Sequence, residues 1–524
     1  MGAIVLTLLL LGLSAGAGEA FAQDGGDLGE VTYDRWCAGC HGVDGTGNGP
    51  AEGYMLPRPR DFSQALYQLR STASGGLPTD GDLLAVIDNG MPGTTMPGWE
   101  EILSGDEKEA LVQYLKTFSR FFSPDEVPEP LDFGRPTRVN DEVLAEGEAQ
   151  YQAIECWKCH GDQGRGDGES SSTLADNGDF PVRAADLTEN WLFNGGGDVE
   201  DIYQRLRTGM DGTPMPNFGD VVDAGVITDD QLWAVAHYVR SLAPEEAPGI
   251  SEVVGAVLLE DTALPTSVTD ETWDDVERVH IPLVGQIIVE PRWFDPRVDG
   301  VWVQALHDGE SVAIRVSWSD PNRSPDPDWA DWRSQVVSLM APNEGNPPAE
   351  GPTPDQLVLQ FPMEMPQGMD RPYFMSGDNR RPVYLWQWRS DSDSALEGEA
   401  RGIGTESFQT EGQDLTVSAS HQDGQWQVMF TRPLVTDDEA DLDFVTGTAI
   451  PLALFAWDGD NGESGTRGAV SSWYFLYLQD ATPNTVYIAP ALAMMLTAAL
   501  GFLVVGRAQK REREDGSLET ETTR

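Results

Sequence analysis

The chain has 524 residues, too many for one ordinary domain, and its 40% hydrophobic and 9% aromatic content is enough for several cores. Asp and Glu number 87 against 33 Lys and Arg, a formal charge of −54 at pH 7, which argues against nucleic acid as a partner because phosphate binding needs a basic surface. The acid is spread along the whole chain, as expected for a saline medium where screening is short-ranged; steering of a basic redox partner is the alternative.

In chain order, residues 1–22 read as a secretory signal peptide: an apolar run, small residues and an Ala20-Phe21-Ala22 cleavage site, without the usual basic start. An exported body is the expectation. Two segments of helical character follow, 27–125 and 135–245, and between them they hold all four cysteines of the chain. These fall in "CAGCH" (Cys37, Cys40, His41) and "CWKCH" (Cys156, Cys159, His160). C-x-x-C-H is the attachment signature of c-type haem: two thiols on one helical turn form thioethers to the haem edge, and the next residue sets an imidazole under the iron. Zinc would ask for further ligands nearby, and a redox dithiol has no use for the histidine.

The two segments are copies. Cys37 and Cys156, Cys40 and Cys159, His41 and His160, Met91 and Met210, and Met96 and Met215 are each 119 positions apart. The register slips between them, since "RPRDFS" and "VRAADLT" align only when Arg58 meets Arg183, an offset of 125. Each copy ends in an amphipathic helix with a capping box, Ser104/Glu107 before Leu111, Tyr114, Leu115 and Phe118, and Thr228/Gln231 before Val235, Tyr238, Val239 and Leu242. The sixth iron ligand is expected from the loops "NGMPGTTMPGW" and "TGMDGTPMPNF". Met96 and Met215, each in a Met-Pro step after a turn, are the first choice, with Met91 and Met210 the alternatives and core packing their other role.

These residues make 27–243 resemble the class I cytochrome c family, in particular its tandem dihaem members. The resemblance implies two small all-α domains, two haem c groups and one-electron transfer, with His41 and Met96 on one iron and His160 and Met215 on the other. Arg58 and Arg183 are then propionate partners or solvated loop residues, and His237 a surface residue.

After a Pro-rich linker the pattern turns to alternation, the mark of strands. "VWVQAL" and "SVAIRVSW" flank His307-Asp308-Gly309, and "LTVSAS" and "WQVMF" flank Asp423-Gly424, as hairpins. More strands are expected at "DQLVLQF", "VYLWQWR", "IPLALFAW" and "VSSWYFLYL", giving an antiparallel β-sandwich over 250–480. Three blocks, "VWVQALHDGESVAIRVSWSDP", "RPYFMSGDNRRPVYLWQWR" and "FAWDGDNGESGTRGAVSSWYF", resemble the haem b-binding gamma subunit of ethylbenzene dehydrogenase and its relatives, the electron-transfer subunits of type II molybdopterin oxidoreductases. That resemblance implies haem b held by a methionine and a lysine. Met375 stands at the methionine position, but no lysine occurs between Lys158 and Lys510, and Arg467 and Gly468 occupy the matching stretch. A guanidinium is a poor iron ligand. His280, His307 or an open sixth position would have to substitute.

Residues 486–506 are apolar and uncharged and long enough for a membrane-spanning helix. Arg507, Lys510, Arg511 and Arg513 follow, so 507–524 is expected in the cytoplasm and the body on the periplasmic or extracellular side. The resemblances together imply a membrane-anchored, non-catalytic electron-transfer subunit working between a molybdopterin oxidoreductase of the nitrate or nitrite type and the respiratory chain. Its partners would be the molybdopterin and iron–sulfur subunits and other cytochromes or a quinol-oxidising complex. The alternative is a free-standing dihaem shuttle whose β-sandwich is a haem-free module for a partner or ligand. A haem enzyme would need a five-coordinate iron, which the methionine-rich loops oppose.

Overall fold

The structure, a computed structural model, describes residues 27–123, 127–260, 262–340, 351, 353–366, 376–409, 414–437, 441–481 and 485–521. The expected signal peptide, 1–22, and Met375 lie outside the described residues.

The first helical unit runs through α1 (Leu28–Trp36), the one-turn α2 (Ala38–His41) that carries the first motif, α3 (Asp80–Asn89) and α4 (Gly105–Thr117). The second repeats it with α5 (Asp141–Ala153), α6 (Trp157–His160), α7 (Val199–Thr208), a short α8 (Gly219–Asp223) and α9 (Asp229–Leu242). Local chemistry sets the starts: Ser104 with Glu107 and Thr228 with Gln231 form both capping boxes expected from the sequence, satisfying backbone N–H groups that a helix leaves free. The buried stripes, Leu111, Val112 and Leu115 on α4 and Leu232, Val235 and Val239 on α9, then face the motif-bearing elements.

In each unit the first and last helices cross at a glycine. A Cβ on Gly29 would lie 2.3 Å from the Ala110 carbonyl oxygen and 2.8 Å from Tyr114 Cβ; on Gly147 it would lie 2.1 Å from the Ala234 oxygen and 2.7 Å from Tyr238 Cβ. Only hydrogen fits there, so the crossing is closer than side chains permit. Tyr33 and Tyr151, both fully buried, brace these crossings against Tyr114 and Tyr238.

The second half is a large β-sheet domain. Its strands are β1 (Val253–Leu258), β2 (Val279–Pro282), β3 (Val284–Gly285), β4 (Gly300–His307), β5 (Ser311–Ser319), β6 (Gln356–Pro362), β7 (Val383–Arg389), β8 (Leu396–Ala400), β9 (Ser407–Phe408), β10 (Thr416–Gln422), β11 (Gln425–Pro433), β12 (Ala449–Trp457), β13 (Ala469–Val470) and β14 (Tyr474–Leu478). The main hydrogen-bonded path is β10-β11-β5-β4-β1-β14-β12-β6-β7-β8-β9. The hairpins at Asp308-Gly309 and Asp423-Gly424 are β4–β5 and β10–β11. The sheet is not wholly antiparallel as expected: β1 runs parallel to both its neighbours, β4 and β14. The long stretch from Leu258 to Gly300 supplies the crossover that parallel pairing requires. Side chains of Trp318, Phe361, Trp386, Trp388, Trp426, Phe430 and Phe444 fill the centre.

Helix α10 (Ala330–Met340) sets Trp332, Val336 and Met340 against Leu56 of the first helical unit and Trp293, tying that unit to the β domain. At the end of the chain, α11 (Thr485–Glu521) contains Ile488–Arg513, a stretch with mean hydropathy 2.3 that is long and apolar enough to cross a membrane. Its apolar side chains, such as Leu492, Leu496 and Phe502, are exposed along its length.

Gly147→Ala is expected to destabilise the second helical unit by about 1–3 kcal/mol, because the added methyl meets backbone and cannot be absorbed by a rotamer change. Thermal unfolding followed by absorbance and circular dichroism checks it; an unchanged midpoint would contradict the close crossing.

Candidate functional site

The two motifs are built alike. The buried Tyr33 and Tyr151 hydroxyls donate to the carbonyls of Gly42 and Gly161 at 2.6 Å, pinning the residue after each histidine to the preceding helix. Gly42 and Gly161 both sit at φ 77°, in the left-handed region that glycine tolerates. The chain then doubles back, with Gly47 N–H donating to the His41 carbonyl and Gly166 N–H to the His160 carbonyl, both at 2.9 Å. Each C-x-x-C-H turn is therefore clasped from both sides by backbone.

The imidazoles are oriented by a second constraint. His41 Nδ1 lies 3.0 Å from the Arg60 carbonyl oxygen, and His160 Nδ1 lies 2.9 Å from that of Ala185. A carbonyl only accepts, so each Nδ1 carries the hydrogen and each Nε2 is left with its lone pair, the form that ligates a metal. Phe62 stacks on His41 at 4.5 Å. Burial holds both imidazoles below the ordinary histidine range, which keeps them neutral. Burial also pushes the Cys37 and Cys156 thiols up to about 12. All four thiols are free of disulfides, as thioether formation requires.

The two methionine loops, which line the same cavity as the imidazoles, share one hydrogen-bond pattern. Met91 N–H donates to the Met96 carbonyl at 3.0 Å, the Thr94 hydroxyl donates to the Met91 carbonyl at 2.7 Å, and Met96 N–H returns to Thr94 Oγ1 at 3.1 Å. Met210, Thr213 and Met215 repeat it at 3.2, 2.7 and 3.2 Å. The threonine closes a six-residue loop so that both methionines of each pair line the cavity. Met215 also packs against the second unit's core.

A single cavity of about 1140 Å³ is lined by both C-x-x-C-H motifs and all four loop methionines. That exceeds the roughly 300–1,000 Å³ of an ordinary single-ligand pocket. The cavity is continuous because the two units face each other. Arg70, fully buried, donates to the Tyr67 carbonyl at 2.8 Å and the Thr208 carbonyl at 2.7 Å and pairs with Asp211 at 2.8 Å. Asp211 belongs to the second methionine loop, so one ion pair joins the first unit to the ligand loop of the second. The residues present fit haem c at both places: a thiol pair, an imidazole with Nε2 free to ligate, methionine thioethers on the same cavity and apolar walls. Haem so held supplies reversible one-electron oxidation and reduction.

The β domain closes the wall with Asp295, Arg297, Asp299 and Trp332. Arg183 reaches across to Asn461 Oδ1 at 2.9 Å and Asp295 Oδ2 at 3.2 Å, and Arg58 to the Leu339 carbonyl at 3.2 Å. Neither is a solvated loop residue; both tie the helical half to the β domain while lining the cavity. Arg60 and Arg205, which the sequence reading passed over, line it too. Glu189, Asp295 and Asp299 are all pushed above the usual carboxylate range by burial, helped by the negative charge of Asp299 and Asp186 beside Glu189, of Asp299 beside Asp295 and of Asp186 beside Asp299. His237 is buried, not on the surface: its Nε2 meets the Thr137 carbonyl at 2.7 Å and holds the segment before α5.

Haem b finds a poorer fit among the described residues. Arg467 forms a two-way backbone bridge with Ser464, and a Cβ on Gly468 would lie 2.7 Å from the Trp457 ring. His307 is fully buried with Nε2 on the Gln479 carbonyl at 2.9 Å, and His280 packs against Trp302 and Trp191 at the contact with the second unit. Aromatic rings at 4.7–6.4 Å spacing occupy the middle of the sheet domain.

This constellation is that of a c-type cytochrome. The comparisons agree: residues 144–243 match the cytochrome c family, 25–115 match cytochrome c oxidase, cbb3-type, subunit III, and 270–411 and 401–469 match ethylbenzene dehydrogenase. Cytochrome c55X of Paracoccus denitrificans is 33% identical over 115 residues, 22% of this chain and 94% of that protein. A candidate respiratory nitrate reductase haem subunit of Haloferax mediterranei is 27% identical over 221 residues, 42% of this chain and 70% of that protein. The chlorate reductase subunit gamma of Ideonella dechloratans is 31% identical over 123 residues, 23% of this chain and 49% of that protein. The chain belongs to the cytochrome c family, as a tandem of cytochrome c domains joined to an ethylbenzene dehydrogenase-type domain.

Met96→Leu and Met215→Leu are each expected to remove the thioether-to-iron charge-transfer band of one haem and to lower that haem's potential, while Met91→Leu and Met210→Leu leave both in place. Absorption spectra and redox titration of the four variants check the assignment, and the reverse pattern would move the ligands to Met91 and Met210.

Proposed function

We infer that this chain is the membrane-tethered electron-transfer subunit of an exported molybdopterin oxidoreductase complex, passing electrons singly between that enzyme and the respiratory chain. The observation that carries the reading is the opening of both C-x-x-C-H motifs into one cavity, which supports two haem c groups held near each other. His41 with Met96 and His160 with Met215 are the proposed axial pairs. With both axial positions taken, neither site keeps an open position for a substrate, so the role is transfer and not turnover. The Haloferax and Ideonella relatives carry names of reductase subunits, which supports a reductase partner.

The β domain is read as a docking platform without haem. Its lysine-free sequence and ring-filled centre favour this over a third redox centre. Apolar α11 serves as the anchor, with Arg507, Lys510, Arg511 and Arg513 on the cytoplasmic side and the cytochrome units outside.

Gentle detergent extraction of the native membranes and affinity isolation of this chain should bring down molybdenum and additional iron in fixed ratio to its haem. Isolation of the chain with haem iron alone would instead favour a free-standing shuttle. Removing residues 486–524 should release the haem-loaded remainder into the soluble fraction; retention in the membrane would contradict the anchor.

A further inference from the structure

Beyond the cytochrome half, one cluster in the β domain is unexplained by electron transfer. Asp320 follows β5, Asp355 precedes β6 and Asp458 follows β12, so three strand ends from distant parts of the chain deliver carboxylates to one point. Asp320 and Asp355 are completely buried and Asp458 is 3% exposed, and one oxygen of each lies within 4.8 Å of the others. None of the three is in an ion pair among the described residues. Arg297 is near enough for its charge to reach Asp320 without pairing with it, and Arg333 is taken by Asp460 at 2.7 Å.

Two of these carboxylates are well supplied with hydrogen-bond donors. Asp355 accepts from Ser324 N–H at 2.8 Å, Trp426 Nε1 at 3.0 Å and Gly459 N–H at 3.1 Å; Asp458 Oδ1 accepts from Asp460 N–H at 2.8 Å and Asn461 N–H at 3.1 Å. Asp320 differs: its Oδ2, wholly buried, has no hydrogen-bond partner, and Oδ1 of Asn322, 5% exposed and bonded through its N–H to Asp320 Oδ1, has none either. A buried acceptor without a donor costs free energy of about 1–3 kcal/mol, more when charged. A buried carboxylate oxygen without a donor, inside a cluster of three carboxylates, asks for a positive ion.

We propose that Asp320, Asp355 and Asp458 bind a hard divalent cation, calcium by donor type, with Asn322 Oδ1 as a further oxygen. Ligand distances of about 2.3–2.6 Å put oxygens on opposite sides of Ca²⁺ about 4.6–5.2 Å apart, and three oxygens all within 4.8 Å of one another can share such an ion. Mg²⁺ suits the site less well, since it keeps several waters and is seldom bound by a buried all-protein cage. The ion would staple β5, β6 and β12 beneath the surface that meets the second cytochrome unit. Asp320 N–H donates to the Gly424 carbonyl at 2.9 Å, and the Asp423-Gly424 turn lies against Arg165 and Asp167 of that unit, with Arg165 also reaching Ser319 at 3.1 Å.

The test uses the full haem-loaded chain in detergent, stripped with EDTA and held in 1 M KCl so that the acidic surface is screened to about 3 Å. Titration calorimetry with CaCl₂ should show one saturable site per chain, MgCl₂ at the same concentration should not compete, and Ca²⁺ should raise the unfolding temperature. Asp320→Asn should weaken binding at least tenfold and abolish the Ca²⁺-dependent rise. The signs are opposed in the alternative: were the cluster kept neutral by protons, Asp320→Asn would relieve repulsion and match or exceed the wild-type unfolding temperature at every Ca²⁺ concentration, overturning the proposal. Absence of a saturable site, or binding indifferent to Asp320→Asn, would also overturn it. Should that variant fail to fold, elemental analysis of the wild type after desalting decides: one calcium per chain supports the site and none refutes it.

Discussion

Everything in the cytochrome half depends on the hydrogen bond from each histidine Nδ1 to a backbone carbonyl, Arg60 for His41 and Ala185 for His160. It fixes the tautomer and turns Nε2 into the cavity, and it also sets how far the chain must travel before it passes back under the motif. The loop lengths, the glycines that let the backbone reverse and the tyrosines that clamp Gly42 and Gly161 all serve that geometry. The carbonyls lie 125 positions apart although the motifs are 119 apart. Register was kept at the chemistry and released in the loops between.

The two units are more than neighbours on a string. Arg70 spends its donors on the Tyr67 and Thr208 carbonyls and its charge on Asp211, which ties the first unit directly to the methionine loop of the second. Gln204 answers by donating to the Arg70 carbonyl at 2.9 Å. On the other side Arg58 and Arg183 connect the cytochrome walls to the β domain. On the proposed reading, two haems in a shared cavity walled by all three units would exchange an electron without domain motion. It also means that the β domain shapes the electrostatic surroundings of the second site, through Asp295, Arg297 and Asp299.

Much of this was legible in the sequence because the signals were local. C-x-x-C-H, the capping boxes at Ser104 and Thr228 and the Asp-Gly hairpins each occupy a few consecutive residues, and each took the expected form. What stayed hidden was contributed across distance. The parallel placement of β1 depends on which sheet edge lies open when the chain arrives, and strand alternation carries no direction. His237 lies on a helix stripe that reads as surface until the segment at Thr137 covers it. Thr94 and Thr213 repeat at the same 119-residue offset as the methionines and were findable there, whereas the backbone carbonyls that orient the imidazoles leave no trace in residue type. Asp320, Asp355 and Asp458 are three among 87 acidic residues, and only folding picks them out.

The most direct measurement is a pyridine haemochrome spectrum of the purified, detergent-solubilised chain with haem counted per polypeptide, alongside a Cys156→Ala/Cys159→Ala variant. Two c-type haems and no b-type haem in the wild type, falling to one covalent haem in the variant, is the predicted result. Fewer than two covalent haems, or a variant that loses none, would contradict the paired sites, and a b-type haem in the wild type would overturn the haem-free reading of the β domain.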